Sequence, residues 1–437
     1  MARRRTYAPL EVFLNTRHVG RLSRQADGAV DFAYAPEWLD WAHTMPISLS
    51  LPLREDRYVG APVLAVFDNL LPDNEDIRRR VAEKRGALGT DAYSLLSAVG
   101  RDCVGALQFL PDGEAPDGKP TITGDTLSDD DVAAIIANLA RAPLGLDEDQ
   151  DFRISVAGAQ EKTALLRHEG QWIRPHGTTP TTHILKPQIG TLPIGVDLSN
   201  SVENEHLCLR LLAAFGLDVA HTEMADFGAR RVLVVERFDR RKISDGRLIR
   251  LPQEECWQAL GKPPTIKYQN EGGPGMADIL ELLKGSDEPA KDRAEFLKAQ
   301  ILFWLMAATD GHAKNYSVFL YPGGRYAMTP FYDVISVQPS LDAGQLQTQK
   351  VKLAMCVGTS RHYKVADIVP RHFVQTAASV GLGAAAVKAL FEDIAERFES
   401  AWAEVIQALP PEFPEALIIS IRDGMATRLR AFEIAAL

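Results

Sequence analysis

The chain has 437 residues, 46% of them hydrophobic and 24% charged, with a formal net charge of −10 and an isoelectric point near 5.6. That composition argues against disorder and predicts two or three packed units. The acidic balance excludes broad electrostatic binding to nucleic acid, which needs clustered positive charge, while leaving room for a local basic patch. The four cysteines, Cys103, Cys208, Cys256 and Cys356, stand far apart without a Cys-x-x-Cys pair, so neither a zinc site nor a disulfide framework is expected. A basic start, Met1 to Arg5, is followed by Thr6 to Val19, which contains no apolar signal core. The apolar run Ile301 to Ala308 is too short to span a bilayer, so no membrane association and a cytoplasmic location are expected.

Two apolar-rich segments between residues 10 and 34, punctuated by Gly20 and Asp27-Gly28, predict short antiparallel strands. Helices are expected over Pro62 to Leu71 and Asn74 to Lys84, separated by Pro72-Asp73. A third is expected over Ser128 to Arg141, with Ser128 as N-cap before three aspartates. The Gly-, Pro-, Asp- and Thr-rich stretch from Leu110 to Ser128 reads as a loop or boundary. From Phe152 the pattern becomes strand-like in Thr163 to Leu166, His183 to Lys186 and Arg231 to Glu236, with a helical run Val202 to Phe215 between the last two. After Pro252 it turns helical over Gln253 to Leu260, Met276 to Lys284, Ala290 to Ala308 and a long tail from His372. In Ala290 to Ala308 the residues Ala294, Leu297, Ile301, Leu305 and Ala308 recur at three or four, predicting one core-facing stripe. Gly311 is placed to stop that helix through a left-handed cap. Three domains are expected: 1–125 as an N-terminal α/β subdomain, 126–245 as a nucleotide-binding lobe and 246–437 as a helical lobe carrying the catalytic loop.

The chemistry concentrates in Thr309-Asp310-Gly311-His312-Ala313-Lys314-Asn315, followed by Asp333 in Thr329-Pro330-Phe331-Tyr332-Asp333. Phosphoryl transfer asks for magnesium on the β- and γ-phosphates and a carboxylate that orients the attacking hydroxyl. Magnesium takes oxygen ligands, so Asn315 and Asp333 can hold it and Asp310 is left for the acceptor. The spacing Asp-x-x-x-x-Asn matches the protein-kinase catalytic loop, and Tyr332-Asp333 falls where kinases carry their second metal-binding Asp. The plainer reading has Asp310 capping a turn after a helix.

Other segments read in two ways. Ser155-Val156-Ala157-Gly158-Ala159-Gln160-Glu161-Lys162 is either a simple hairpin or a small-residue loop whose amides approach phosphate oxygens. It is not a Walker loop, because no Gly-x-x-x-x-Gly-Lys-Ser/Thr occurs. Lys186 ends an apolar strand, either at a solvated edge or as the lysine that pairs the α- and β-phosphates, with Glu205 rather than Glu203 as its helix partner. Glu236-Arg237-Phe238-Asp239 is either a hinge for adenine or a strand leaving the core with Asp239 paired to Arg240 or Arg241. His312 and Lys314 either touch phosphate or shape the loop, and His312 is not expected to ligate metal.

Together these segments resemble the HipA family of bacterial toxin kinases. The resemblance is carried by Ser155 to Thr163, Thr182-His183-Ile184-Leu185-Lys186, Val235-Glu236-Arg237-Phe238-Asp239-Arg240, Gly272-Gly273-Pro274-Gly275 and Ala308 to Asn315, with Phe67-Asp68-Asn69-Leu70-Leu71-Pro72-Asp73 in the N-terminal part. It implies an α+β, two-lobed protein-kinase-like fold, with a mixed α/β N-terminal lobe and a mostly helical C-terminal lobe. The activity implied is ATP- and Mg2+-dependent serine/threonine phosphorylation by the toxin of a type II toxin-antitoxin pair. Its implied partner is a HipB-like helix-turn-helix antitoxin, which binds operator DNA and holds the kinase in a repressing complex.

Carried over by motif, Asp310 is the catalytic acid and Asn315 and Asp333 hold magnesium. Lys186 contacts the phosphates, Ala157, Gly158, Ala159, Gln160, Glu161 and Lys162 form the phosphate loop, and Glu236, Arg237 and Phe238 form the adenine hinge. His312, Lys314 and Tyr332 belong to the nucleotide side of the catalytic loop, and Ser155 is the site of self-phosphorylation. The substrate implied is a translation-related protein, glutamyl-tRNA synthetase in the best-known case, whose inactivation gives growth arrest and drug tolerance. Two other readings use the same residues: a small-molecule kinase, and a nucleotide-binding corepressor without kinase activity.

Overall fold

The apolar segments near the N-terminus form three antiparallel strands, β1 (Leu10–Leu14), β2 (Arg17–Arg24) and β3 (Val30–Tyr34). Leu14 faces Arg17 across a two-residue turn in which Asn15 takes φ 54°, a conformation asparagine tolerates. These strands belong to a computed structural model that describes residues 7–116, 122–139, 161–264, 266 and 268–434. The chain divides into two units, Met1–Pro187 with Ala225–Thr265 and Val318–Tyr326, and Gln188–Met224 with Ile266–Ser317 and Ala327–Leu437.

In the first unit β4 (Tyr58–Val59) and β5 (Leu107–Pro111) complete a sheet of order β4-β3-β2-β1-β5. Around it lie α1 (Pro36–Leu39), α2 (Ala61–Phe67), α3 (Glu75–Arg85) and α4 (Ala92–Val99). The helix expected to run to Leu71 tightens into a 3-10 turn over Asp68–Leu70. Phe67 packs edge-on against both Phe32 and Phe109, each at 5.4 Å between ring centroids, which pins α2 to the sheet.

A second sheet has the order β12-β13-β9-β7-β8-β6. Its strands are β6 (Gly124–Leu127), β7 (Thr163–His168), β8 (Gln171–Pro175), β9 (His183–Pro187), β12 (Thr222–Phe227) and β13 (Arg230–Glu236). Helix α5 (Asp129–Ala137) begins where expected: Ser128 Oγ accepts from the Asp131 amide at 3.2 Å, and the Asp131 carboxylate accepts from the Ser128 amide at 2.9 Å. Val132 and Ile136 pack with Leu165, Trp172, Leu185 and Val234 in one buried cluster. A hairpin, β14 (Arg240–Lys242) with β15 (Leu248–Arg250), follows.

The expected helix Gln253 to Leu260 is corrected here: β16 (Gln253–Glu255) precedes a single turn, α7 (Cys256–Ala259). Glu254 is buried on that strand, and its carboxylate accepts from the Leu49 amide at 2.7 Å, a long-range contact that overrides local helix preference. Strand β16 pairs with β17 (Ser317–Tyr321), which pairs with β18 (Arg325–Met328).

The second unit is mainly helical. It contains α6 (Ser201–Ala214), α8 (Met276–Leu282), α9 (Pro289–Met306), α10 (Gln338–Asp342), α11 (Pro370–Ser379), α12 (Ala384–Ala408) and α13 (Glu415–Ile434). Two ribbons accompany them, β10 (Gly190–Thr191) with β11 (Asp197–Leu198), and β19 (Lys352–Val357) with β20 (His362–Lys364). Helix α9 is the centre. Every residue from Phe296 to Met306 is buried, so the single stripe expected from its periodicity is corrected to a helix covered all round, by α6, α8, α12 and α13 among others. Lys298 within it donates to the Phe215 carbonyl and, at 2.5 Å, to Asp393. No helix of the described residues is long and apolar enough to cross a membrane.

Candidate active site

Helix α9 leads directly into the acid- and amide-bearing loop. Its stop is Ala307, in the left-handed region at φ 52°, and the Ala308 amide returns to the Phe303 carbonyl at 2.8 Å. The expectation that Gly311 supplies a left-handed cap is therefore corrected. Glycine is required there for another reason: a Cβ at 311 would lie 2.6 Å from the Phe303 ring and 2.7 Å from the Tyr316 hydroxyl.

The loop is tied down by its own backbone. Both the His312 amide and Asn315 Nδ2 donate to the Asp310 carbonyl, at 2.9 and 2.7 Å, and the Asn315 amide donates to the His312 carbonyl at 2.8 Å. With Nδ2 so used, Asn315 Oδ1 is the end that suits a hard cation. Ala354 of β19 donates to the Thr309 carbonyl at 3.0 Å, holding the loop from the other side. His312 is buried with Nε2 3.7 Å from Asp310 Oδ1, and Lys314 is buried as well. The Asp310 carboxylate also receives the Tyr268 hydroxyl at 3.1 Å.

Asp333 has φ 60°, a left-handed conformation uncommon for a residue with a side chain. Such strain, of order 1–3 kcal/mol, persists where neighbours over-determine the backbone, and it clusters at functional sites. The neighbours are visible. Phe331 is held in a parallel bridge with Val219, its amide donating to the Asp218 carbonyl and its carbonyl accepting from Ala220, both at 2.8 Å. On the far side Ser336 is gripped by Asn204. The Tyr332 hydroxyl donates to the Lys314 carbonyl at 3.1 Å and lies 2.7 Å from Ser317 Oγ, so Tyr332 joins the Asp333 segment to the loop. One carboxylate held in a strained backbone and one oriented amide oxygen fit a magnesium site completed by phosphates and water. No cluster of three or more His, Cys, Asp or Glu ligands occurs among the described residues.

The first unit carries the residues expected on the nucleotide side. Lys186 is buried on β9 opposite Leu233 of β13, which disfavours a solvated edge. Glu161 is exposed and Lys162 buried; Ser155, Ala157, Gly158, Ala159 and Gln160 lie outside the described residues. In the second unit Glu203 accepts from Gln188 Nε2 at 2.7 Å, and Glu205 is buried in α6. Glu236 is exposed at the end of β13, and Phe238 stands edge-on to Phe319 at 5.8 Å.

Arg237 is built into the fold. Its guanidinium donates to both Asp239 oxygens at 3.0 and 2.8 Å and to Thr181 Oγ1 at 2.9 Å, while its amide donates to the Thr182 carbonyl at 2.9 Å. Arg240 adds bonds to Asp239 at 2.8 Å and Asp102 at 3.1 Å, and Arg250 reaches Asp102 at 2.8 Å. Burial would raise the Asp239 carboxyl, but the two guanidiniums hold it below the usual range. Burial, with the Arg237 charge beside it, brings Arg240 down to about 10.

Spacing alone did not reveal Tyr268, which comes from 42 positions upstream of Asp310, nor Asp102, which lies 138 positions before Arg240.

These features define a class: a two-lobed, protein-kinase-like α+β fold with an Asp, Asn, Asp set on and after the loop that follows α9. Residues 10–110 match the HipA N-terminal domain model and residues 154–402 the HipA-like C-terminal domain model. The chain belongs to the HipA family. It is 35% identical over 410 residues to Y4mE of Sinorhizobium fredii, named as a kinase, covering 92% of this chain and 93% of that one. It is 28% identical over 416 residues to the serine/threonine-protein kinase toxin HipA of Shewanella oneidensis, covering 92% and 90%. The solved complex of Shewanella oneidensis HipA, HipB and operator DNA superposes with a TM-score of 0.81 at 26% identity, covering 96% of each chain.

Proposed function

We propose that this chain is an ATP- and Mg2+-dependent serine/threonine protein kinase and the toxin of a toxin-antitoxin pair. The observation that carries the reading is Asp333, held at φ 60° between two anchored points and joined through Tyr332 to the loop bearing Asp310 and Asn315. Asp310 accepts the proton of the acceptor hydroxyl as that oxygen attacks the γ-phosphorus and the bond to the β–γ bridging oxygen breaks, so that ADP leaves. Asn315 Oδ1 and the Asp333 carboxylate would hold the magnesium, whose charge would be supplied to the phosphates. Lys186 binds phosphate oxygens, as do Lys162 and the small-residue loop before it, and Glu236 to Phe238 border the adenine.

The partner proposed is a HipB-like antitoxin, by analogy with the solved Shewanella complex. Operator DNA is bound mainly through that partner, since a net charge of −10 opposes phosphate contacts. The substrate proposed is a translation-related protein such as glutamyl-tRNA synthetase, and Ser155 is proposed as a self-phosphorylation site. The test is incubation with labelled ATP and a cell lysate, with and without a chelator, followed by identification of the labelled protein. Label on a protein serine or threonine is expected. Label only on a small molecule, or transfer undiminished by chelator, overturns the assignment.

A further inference from the structure

Asp310 has a demanding role in the proposed chemistry, yet its side chain is 58% exposed. A general base must stay within hydrogen-bond reach of its proton, and a displacement of about 1 Å can cost on the order of 100-fold in rate. Its backbone is fixed by His312 and Asn315, but backbone bonds alone do not choose the carboxylate's rotamer.

Tyr268 does. Its hydroxyl donates to Asp310 Oδ1 at 3.1 Å, and its ring stands edge-on to buried His312, 5.9 Å between centroids at 66°. Burial, then the Asp310 charge and hydrogen bond, push the phenol up to about 12, so it remains a donor across the working pH range. The segment carrying it is anchored. The Tyr268 carbonyl accepts from the Glu271 and Gly273 amides at 3.0 and 3.1 Å, and Gln269 Oε1 accepts from the Cys356 amide at 2.7 Å. Cys356 belongs to β19, the strand whose Ala354 also holds Thr309, so one strand sets both the tyrosine's segment and the catalytic loop. Gly275 leaves the room this needs: a Cβ there would fall 2.0 Å from the Gln269 amide.

We propose that Tyr268 is the positioning residue for Asp310, a role that rests on the kinase reading. The rival role for the same contact is a plug, with the phenol occupying the place of the acceptor hydroxyl. The geometry favours the clamp, because the ring rests edge-on against buried His312 and its backbone carbonyl is doubly bonded. A carboxylate also has about four acceptor sites, so one donor on Oδ1 orients it without exhausting its capacity as a base.

The experiment measures the initial rate of phosphate transfer from labelled ATP into a cell lysate as a function of ATP concentration. For Tyr268→Phe the maximal rate is expected to fall about 10- to 100-fold, with half-saturating ATP and melting temperature unchanged. A second protein carries 2,3,5-trifluorotyrosine at 268, whose more acidic phenol ionises nearer neutrality. Its maximal rate is expected to fall as pH rises through that ionisation while wild type stays level, which a purely structural ring would not produce. A Tyr268→Phe rate equal to or above wild type, or a level fluorotyrosine profile, overturns the positioning role while leaving the kinase reading intact. If wild type labels neither lysate protein nor itself, the kinase reading fails and this inference falls with it.

Discussion

Asn204 grips the backbone of Ser336 with both ends of its amide: Nδ2 donates to the Ser336 carbonyl at 2.8 Å, and Oδ1 accepts from the Ser336 amide at 2.9 Å. All of these groups are buried, and Ser336 Oγ in turn donates to the Met306 carbonyl at 2.5 Å at the end of α9. Asn204→Ala leaves a buried donor and acceptor unpaired, at about 1–3 kcal/mol each. Denaturant unfolding should show that loss, and the kinase rate should fall with it because the strained Asp333 loses an anchor. Wild-type stability in the variant would show that the grip is incidental.

Asp310→Asn should retain nucleotide binding while lowering transfer by roughly 10²- to 10⁴-fold, the usual worth of a positioned general base. Asp333→Ala should instead abolish the magnesium dependence along with the transfer. Calorimetric titration with ATP, with and without magnesium, beside the transfer assay separates the two roles. Loss of ATP binding in Asp310→Asn with transfer preserved contradicts the assignment.

Glu254 gives the first unit a pH dependence. Burial pushes its carboxyl from 4.5 up to about 7, against the hydrogen bonds from Leu49 and Ser48. A folded value above the unfolded one means the protonated form is favoured by folding. The stabilisation is complete below about pH 4.5 and is lost as pH rises through about 7. Glu254→Gln keeps an acceptor for Leu49 and does not ionise. Its stability relative to wild type should therefore improve between pH 5 and pH 8, and parallel melting curves across that range would refute the shift.

Asp102 is completely buried and faces Arg240 and Arg250. Asp102→Ala removes the carboxylate that Arg240 and Arg250 share, leaving Arg240 with Asp239 alone, and breaking a buried pair from one side costs about 3–5 kcal/mol. Asp102→Asn, which keeps an acceptor oxygen, should lose less. Equal stability of all three proteins would mean that water satisfies the arginines.

What the sequence made legible was local. The strands at Thr163, His183 and Arg231 announce themselves by short apolar runs between polar punctuation, and Ser128 by its acidic first turn. The pairing of Asp239 with Arg240 was equally near at hand. Glu254 looked like a helix residue because the Leu49 amide that buries it lies 205 positions away. Gly311 looked like a cap because glycine so often is one, whereas the constraint is the space taken by Phe303 and Tyr316. Gly311→Ala should accordingly destabilise through overpacking, typically by about 1–3 kcal/mol, with helix α9 still ending at Met306.

The buried aspartate also sets a schedule for synthesis. Asp102 leaves the ribosome 138 residues ahead of Arg240 and 148 ahead of Arg250. At roughly 5–20 residues per second, that interval is about 7 to 30 s, during which the connection between α4 and β5 carries a carboxylate destined for burial without the arginines that pair with it. Nascent chains stalled before Arg237 should be cut readily by protease near Asp102, and chains extended past Arg250 should resist. A chain terminated before Arg240 should accordingly be a protease substrate, its Asp102 lacking the arginines that pair with it in the fold.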